Sequence, residues 1–236
     1  MTVLLADLKV EKEILAGFAG GVGPLVIAGM DEVGRGALAG PVTVGVAAVT
    51  VSLDTKAMGG LRDSKALSAT RREGLEPKIV EWCDAVTADH ASAEEIDEYG
   101  ISAGLALAAR RSWTQLVNSL GRVPDVLLLD GRDNWLSRAP HQLVQDMPAL
   151  PQHIHLQIKA DAQCASVAAA AIFAKVARDR LMAELDEQHP EFGWKKNKGY
   201  GAAVHRDALL TYGPTSYHRR SWNLTGGHNP NQGALL

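Results

Sequence analysis

The chain has 236 residues, 46% of them apolar, and sets 24 lysines and arginines against 27 acids for a net charge of −3. Such a length and composition suit one domain with a substantial core and a C-terminal appendage, and they exclude a disordered chain, a fibrous repeat and a small disulfide-stapled scaffold. The two cysteines, Cys83 and Cys164, lie far apart without CxxC spacing, so neither a disulfide framework nor a zinc ribbon is expected and the chain reads as cytoplasmic and reduced.

The N-terminal stretch MTVLLADLKVEKEILAGF mixes acids among apolar residues and lacks the parts of a signal peptide, which predicts an amphipathic first helix. A turn is expected over Gly20–Pro24, then a short buried strand over Leu25–Met30. That run ends in Asp31 and Glu32, followed at once by Gly34-Arg35-Gly36 and Gly40-Pro41. Val42–Val51, rich in valine and threonine, predicts a second strand in an antiparallel hairpin with the first. The uncharged run from Gly36 to Leu53 approaches membrane-span length, but its glycines, proline and threonines favour a turn and a strand, so no membrane segment is expected.

Leu61–Lys65 reads as a polar loop, and Ser68 as the N-cap of a helix with Leu75, Ile79 and Trp82 on one face. Pro77 either kinks that helix or marks a later start. Ala85–Ala91 alternates as a third strand, and a helical region runs from Ser92 to a stop at Gly121. Asp125–Leu129 has the continuous apolar pattern of a strand buried on both faces and ends in Asp130-Gly131. Residues 132–152, with Pro140, Pro148 and Pro151, predict a surface excursion. A fifth strand is expected over His153–Ile158, then Lys159-Ala160-Asp161 leading into an alanine-rich helix, Cys164–Leu185, whose Val167, Ala171 and Ala174 form a close-packing face. A short helix over Ala202–Leu210 and a Gly213-Pro214 stop follow. Residues 1–190 are thus expected to form the main domain, 191–225 a basic helical extension of it, and 226–236 a flexible tail.

Two patterns bear on function. From Trp194 onward, six Lys/Arg (195, 196, 198, 206, 219 and 220) face one acid, Asp207, so the tail carries +5 and residues 1–193 carry −8. Charge alone leaves a solvated surface open; the interleaved Trp194, Tyr200, Tyr212, Tyr217 and Trp222 tilt the pattern toward a polyanion that also offers flat bases or sugars. The second pattern is acidic. Asp31, Glu32, Asp130 and Asp161 arrive at successive strand ends, rigid positions from which carboxylates can hold hard divalent cations. Singly, each has an ordinary explanation: Asp161 as a helix cap, Asp130 in a turn with Gly131, and Asp31-Glu32 in solvent. Their joint occurrence favours the metal. A rival fingerprint, Gly34-Arg35-Gly36-Ala37-Leu38-Ala39, fits the G-x-G-x-x-A turn of dinucleotide binders, but it should open a helix, and Pro41 with a β-branched run predicts a strand.

The block GMDEVGRG (29–36) with LAGPV (38–42) resembles the signature of the type 2 ribonucleases H. The resemblance continues in family order through Asp63-Ser64-Lys65, Glu95-Ile96-Asp97, Asp130-Gly131, AAIFAKVARD (170–179), KGYG (198–201) and HRRS (218–221). It implies a ribonuclease H-like α/β fold: a five-stranded mixed sheet flanked by helices, with a C-terminal helical extension. It implies that Asp31, Glu32, Asp130 and Asp161 bind two Mg²⁺ or Mn²⁺ ions, although Ala160 stands where the family usually has glycine and Asp133 competes for the third place. It implies that the backbone of Gly34, Arg35 and Gly36 reads a 2′-hydroxyl, Tyr200 packs on the sugar at an RNA-to-DNA junction, and Ser64 and Lys65 contact phosphate. The implied partners are RNA–DNA hybrids and duplex DNA with embedded ribonucleotides, cut 5′ to the ribonucleotide by a monomer. A non-catalytic binding module on the same fold is the alternative, and the four intact acids argue against it.

Overall fold

A computed structural model of the chain describes residues 5–18 and 23–225. The expected turn at Gly20–Pro24 lies mostly outside them, and the expected tail at 226–236 entirely so. Five strands form one mixed sheet in the order β3-β2-β1-β4-β5: β1 Leu25–Val33, β2 Val42–Val51, β3 Ala85–Ala91, β4 Val126–Asp130 and β5 His153–Gln157. The first three pair antiparallel, while β4 and β5 run parallel to β1. The second and third strands match their expected bounds, and β1 runs three residues further, so Asp31 and Glu32 lie within the strand.

Helices cover both faces. On one lie α1 (Lys9–Gly17), α2 (Ala69–Trp82) and α7 (Ala165–Gln188), packed through Leu15, Leu75, Ile79 and Val167 on Ile27, Val49 and Leu128. The other face carries α3 (Ala93–Tyr99) and α4 (Ile101–Leu120), with Leu105, Trp113 and Leu116 of α4 packed on Ala28, Met30, Val46 and Leu129. Burial of such side chains stabilises by about 25 cal/mol per Å² of apolar surface, which makes these two layers the main source of stability. Beyond the end of α7, the short helix α8 (Trp194–Asn197) and α9 (Ala203–Tyr212) enclose a third cluster of Leu38, Met182, Phe192, Trp194 and Leu209. No described helix is long and apolar enough to cross a membrane.

Several expectations change. Ser68 caps α2 by accepting from Arg71 N at 3.2 Å, and Pro77 lies inside that helix, well past its start. The region from Ser92 is two helices, broken at Gly100, whose φ of 81° suits glycine. Its Ser92 and Glu95 form a reciprocal capping box. Residues 132–152, which include the short helix α5 (His141–Val144), are not merely a surface excursion. Trp135 and Leu136 are buried against α4, while Arg110 and Trp113 of α4 donate to the carbonyls of Pro148 and Ala149 at 2.8 and 3.0 Å. A sequence pattern of three prolines signals irregular backbone but not where that backbone packs. The strand β2 after Ala39 also removes the dinucleotide-binding turn, which required a helix there.

α7 lies close enough on the sheet to demand glycine beneath it. A Cβ on Gly29 of β1 would stand 2.4 Å from the Ser166 backbone, and one on Gly45 of β2 2.4 Å from the Ala170 carbonyl oxygen, one turn further along α7. Gly45→Ala is therefore expected to destabilise the fold by about 2 kcal/mol through forced separation of helix and sheet. A urea unfolding curve unchanged from that of the native protein would refute the close contact.

Candidate active site

Strand register builds the first half of the site. The parallel pair β1/β4 ends at Met30 opposite Leu129, which leaves the next residues, Asp31 within β1 and Asp130 at the carboxyl end of β4, side by side where the pairing stops. Asp161 comes from α6 (Ala160–Gln163), a short helix separate from α7 rather than its lead-in. Its placement is tied to Asp130, whose Oδ1 accepts from Ala160 N at 2.7 Å. The residue before it, Lys159, takes the left-handed conformation at φ 56°, whereas Ala160 does not, so the Cβ at position 160 meets no backbone penalty.

Asp31 and Asp161 are each only 8% exposed, and Glu32 and Asp130 are half-buried. Burial, reinforced by the charges of Glu32, Asp130 and Asp161, holds the Asp31 carboxyl well above its ordinary range. Glu32 is raised by burial despite the opposing Arg35, which stands 3.7 Å away, and Asp161 is raised by burial and then by Asp130. Partial burial works to lower the Lys65 ammonium, but Asp31, Asp161, Asp63 and Glu32 outweigh it and hold the group above the ordinary lysine value. Four carboxylates thus converge with little cationic compensation. The donor set is all oxygen, which fits a hard divalent cation. Among the described residues no three acid, histidine or cysteine side chains are gathered into a ready ligand cage. Asp133, the competitor for the third place, instead pairs with Arg138 on the surface.

The glycine turn beside these acids rests on two buried arginines. Gly34, at φ 85°, brings its backbone against Arg178 of α7, and a Cβ there would stand 2.2 Å from Arg178 Nε. Arg178 donates to the carbonyls of Pro41 and Lys198 at 2.8 and 2.9 Å. Arg219 donates to those of Gly34, Arg35 and Gly40 at 2.7, 2.8 and 3.1 Å, and its guanidinium lies 4.9 Å from the Trp222 ring centroid. Burial, and then Arg178, lowers the Arg219 guanidinium to about 9, which leaves it charged at neutral pH. Asp97 fixes the chain just beyond by accepting from Arg220 N, Ser221 N and Ser221 Oγ at 2.8, 3.0 and 2.6 Å.

Tyr200 joins the turn from the other side. Leu38 N and Ala39 N donate to Gly199 O, and a Cβ on Gly36 would lie 4.0 Å from the Tyr200 ring, so ring and turn share one exposed surface. The Tyr200 carbonyl is held by His205, whose Nδ1 lies 2.9 Å away. Because Thr215 N donates to His218 Nδ1, His218 Nε2 carries a proton and donates to His205 Nε2, which Trp194 Nε1 also approaches as a donor. This arrangement needs both rings neutral, and burial lowers both, His218 to about 4.

The expected residues therefore fall into two groups. Asp31, Glu32, Asp130 and Asp161, with Lys65, lie within mutual electrostatic reach; Arg35, Gly36 and Tyr200 form the adjoining surface, and Gly34 is buried behind it against Arg178. Ser64 differs: it is buried, and its carbonyl accepts from Arg72 at 3.0 Å. The tail's aromatics also divide, since Trp194 is core while Tyr200 and Tyr212 are exposed. Arg178, Arg219, His205, His218 and Asp97 were given no individual role by the sequence, although Arg219 was counted in the basic tail and all but His205 fall in blocks that carry the resemblance. Arg178 could have been found there, because it continues the face of Val167, Ala171 and Ala174 by one further turn of an otherwise apolar surface.

The model of the family described as Ribonuclease HII matches residues 28–225. The ribonuclease HII of Streptomyces avermitilis is 43% identical over 200 residues, which cover 85% of this chain and 78% of that protein. Among solved structures, the ribonuclease H2 of Pyrococcus horikoshii OT3 superposes with a TM-score of 0.63 at 26% identity, covering 85% of this chain and 95% of that one. Bst-RNase HIII in complex with Mn²⁺ shares the fold, with a TM-score of 0.66 at 20% identity over 91% of this chain and 78% of its own. With a family model spanning most of its length and this identity to a curated relative, the chain belongs to the ribonuclease HII family, nucleases that hydrolyse phosphodiester bonds.

Proposed function

We propose that the chain is an endonuclease that hydrolyses the phosphodiester 5′ to a ribonucleotide embedded in duplex DNA, and cuts the RNA of RNA–DNA hybrids, leaving 3′-hydroxyl and 5′-phosphate ends. The observation that carries this reading is the convergence of Asp31, Glu32, Asp130 and Asp161 beside an exposed glycine turn and tyrosine. Asp31, Glu32, Asp130 and Asp161 would hold two Mg²⁺ or Mn²⁺ ions; what the ions supply when bound is Lewis-acid stabilisation of the attacking and leaving oxygens.

The protein's own part is placement and recognition. The turn Gly34-Arg35-Gly36 offers main chain that a ribose can approach closely, since Arg35 and Gly36 are exposed and no Cβ intervenes at Gly36, and a 2′-hydroxyl is the group that separates RNA from DNA. Tyr200, 41% exposed, offers a ring face for the sugar at the junction. Lys65 suits a backbone phosphate, while the exposed Lys195 and Lys196 suit the flanking duplex. In this reading residues 1–190 form the catalytic unit and 191–225 its nucleic-acid-binding extension, acting as a monomer in the cytoplasm, in keeping with the buried free thiols of Cys83 and Cys164.

The test is incubation of a duplex carrying one ribonucleotide with the protein and Mg²⁺ or Mn²⁺, then end analysis of the products. Absence of nicking, or nicking that EDTA leaves intact, would sink the proposal. Tyr200→Ala is expected to lower cleavage at single ribonucleotides by tenfold or more, roughly 1–3 kcal/mol of lost ring contact, with little change in melting temperature because the ring is exposed. An unchanged preference for junctions would remove Tyr200 from the site.

A further inference from the structure

The segment Ala6–Glu11 precedes the region matched by the family model, yet it touches both stretches of chain that flank the acids. Ala6 N donates to Leu61 O at 2.9 Å, three residues before Ser64. Asp7 then closes the junction between α6 and α7: its N–H donates to Gln163 O at 3.1 Å, its carbonyl accepts from Ala165 N at 2.8 Å, and it bridges Cys164 in parallel. Its Oδ1 accepts from Lys9 N at 2.9 Å, which ties this bridge to the start of α1.

In the first turn of α1, the fully buried Glu11 reaches the first turn of α7. Its Oε1 accepts from Ser166 N at 2.9 Å and from Ser166 Oγ at 2.8 Å, while no hydrogen-bond partner is found for its Oε2 among the described residues. Ser166 is confined on its other side by Gly29, two residues before Asp31, with no room for a methyl group between them. A buried carboxylate is a costly way to dock a helix, and an apolar side chain would serve stability better. What the carboxylate provides is a directed pair of hydrogen bonds at a helix N-terminus, hence a fixed position. The element so fixed adjoins α6, which carries Asp161 and donates to Asp130.

We propose that Glu11 is a positioning residue for the acid site: by locking the first turn of α7 to α1, it sets where α6 presents Asp161 and so governs divalent-cation affinity. The proposal rests on the assignment of Asp161 as a metal ligand. Outer-shell partners of metal ligands typically contribute about 10–100-fold in affinity.

The test is Mn²⁺ binding to the full-length protein without substrate, followed by the paramagnetic resonance of free Mn²⁺, with thermal melts alongside. Glu11→Ala is expected to weaken binding by about tenfold while still melting cooperatively. Glu11→Gln keeps an acceptor oxygen for both Ser166 donors and is expected to bind within about twofold of the native protein. Native affinity in a folded Glu11→Ala protein overturns the proposal, and a Gln variant as weak as the Ala variant assigns the effect to charge and overturns it too. Asp161→Asn is the reference: native Mn²⁺ affinity there overturns the ligand assignment itself. Should Glu11→Ala fail to fold, Ser166→Ala, which keeps the backbone bond and loses the hydroxyl one, is expected to weaken binding in the same direction, and no weakening overturns the proposal.

Discussion

Replacing Asp31 with asparagine is expected to abolish turnover while making the metal-free protein more stable. The two effects share one cause. Asp31 is a buried carboxylate facing Glu32, Asp130 and Asp161, so its charge is unfavourable in the folded protein until a cation arrives. Asparagine keeps the Oδ1 acceptor that holds Glu32 N at 2.8 Å, fits the same space and removes the repulsion. A gain of about 1 kcal/mol follows, a few degrees in melting temperature. The loss in cleavage should be at least about a thousandfold, equivalent to roughly 4 kcal/mol of transition-state stabilisation. Metal linkage separates this from a nonspecific effect: added Mg²⁺ should raise the native melting temperature and raise that of the variant much less. A variant that cuts as fast as the native protein and gains as much from Mg²⁺ would take Asp31 out of the site.

The acids could be found in the sequence because their signal is local: a short apolar run that ends in carboxylate implies a strand delivering charge to an edge. Strands β2 and β3 were legible for the same reason, since β-branched and alternating residues bounded by turns need no knowledge of the rest of the chain. Asp161 was different. Its approach to Asp130 depends on a bond across 30 residues to Ala160 N and on a left-handed Lys159, neither of which periodicity reveals; the sequence pattern showed an acid just after the fifth strand but not what it meets. Trp194 illustrates the opposite error. Basic neighbours made it look like a stacking platform, yet its ring lies parallel to Phe192 at 5.1 Å, inside the third core. A charged stretch can wrap a core of its own, and composition cannot tell which of its aromatics face inward.

Arg219 is where sequence reading fails most completely and where a conservative change is expected to be damaging. Its partners Gly34 and Arg35 lie 185 and 184 residues away, and they are main-chain oxygens, which no residue-type pattern records. Because Arg219 is fully buried, removing its guanidinium takes the side-chain donor from the carbonyls of Arg35 and Gly40 and leaves that of Gly34 with only the Ala37 N–H, so Arg219→Ala should cost about 3–5 kcal/mol. Lysine restores the charge but not the planar fork: one ammonium cannot reach all three oxygens in the directions that the guanidinium spans. Arg219→Lys should therefore fold, lose about 2 kcal/mol in urea unfolding, and lose far more in cleavage, because Gly34 and Arg35 are the main chain proposed to meet the ribose. The decisive comparison is with Arg220→Lys. Arg220 is exposed and engaged through its backbone N–H, which lysine retains, so that variant should keep native stability and junction cleavage. If the 219 variant behaves like the 220 variant in both assays, the glycine turn holds its shape without Arg219, and its geometry must come from Gly34 and Arg178 alone.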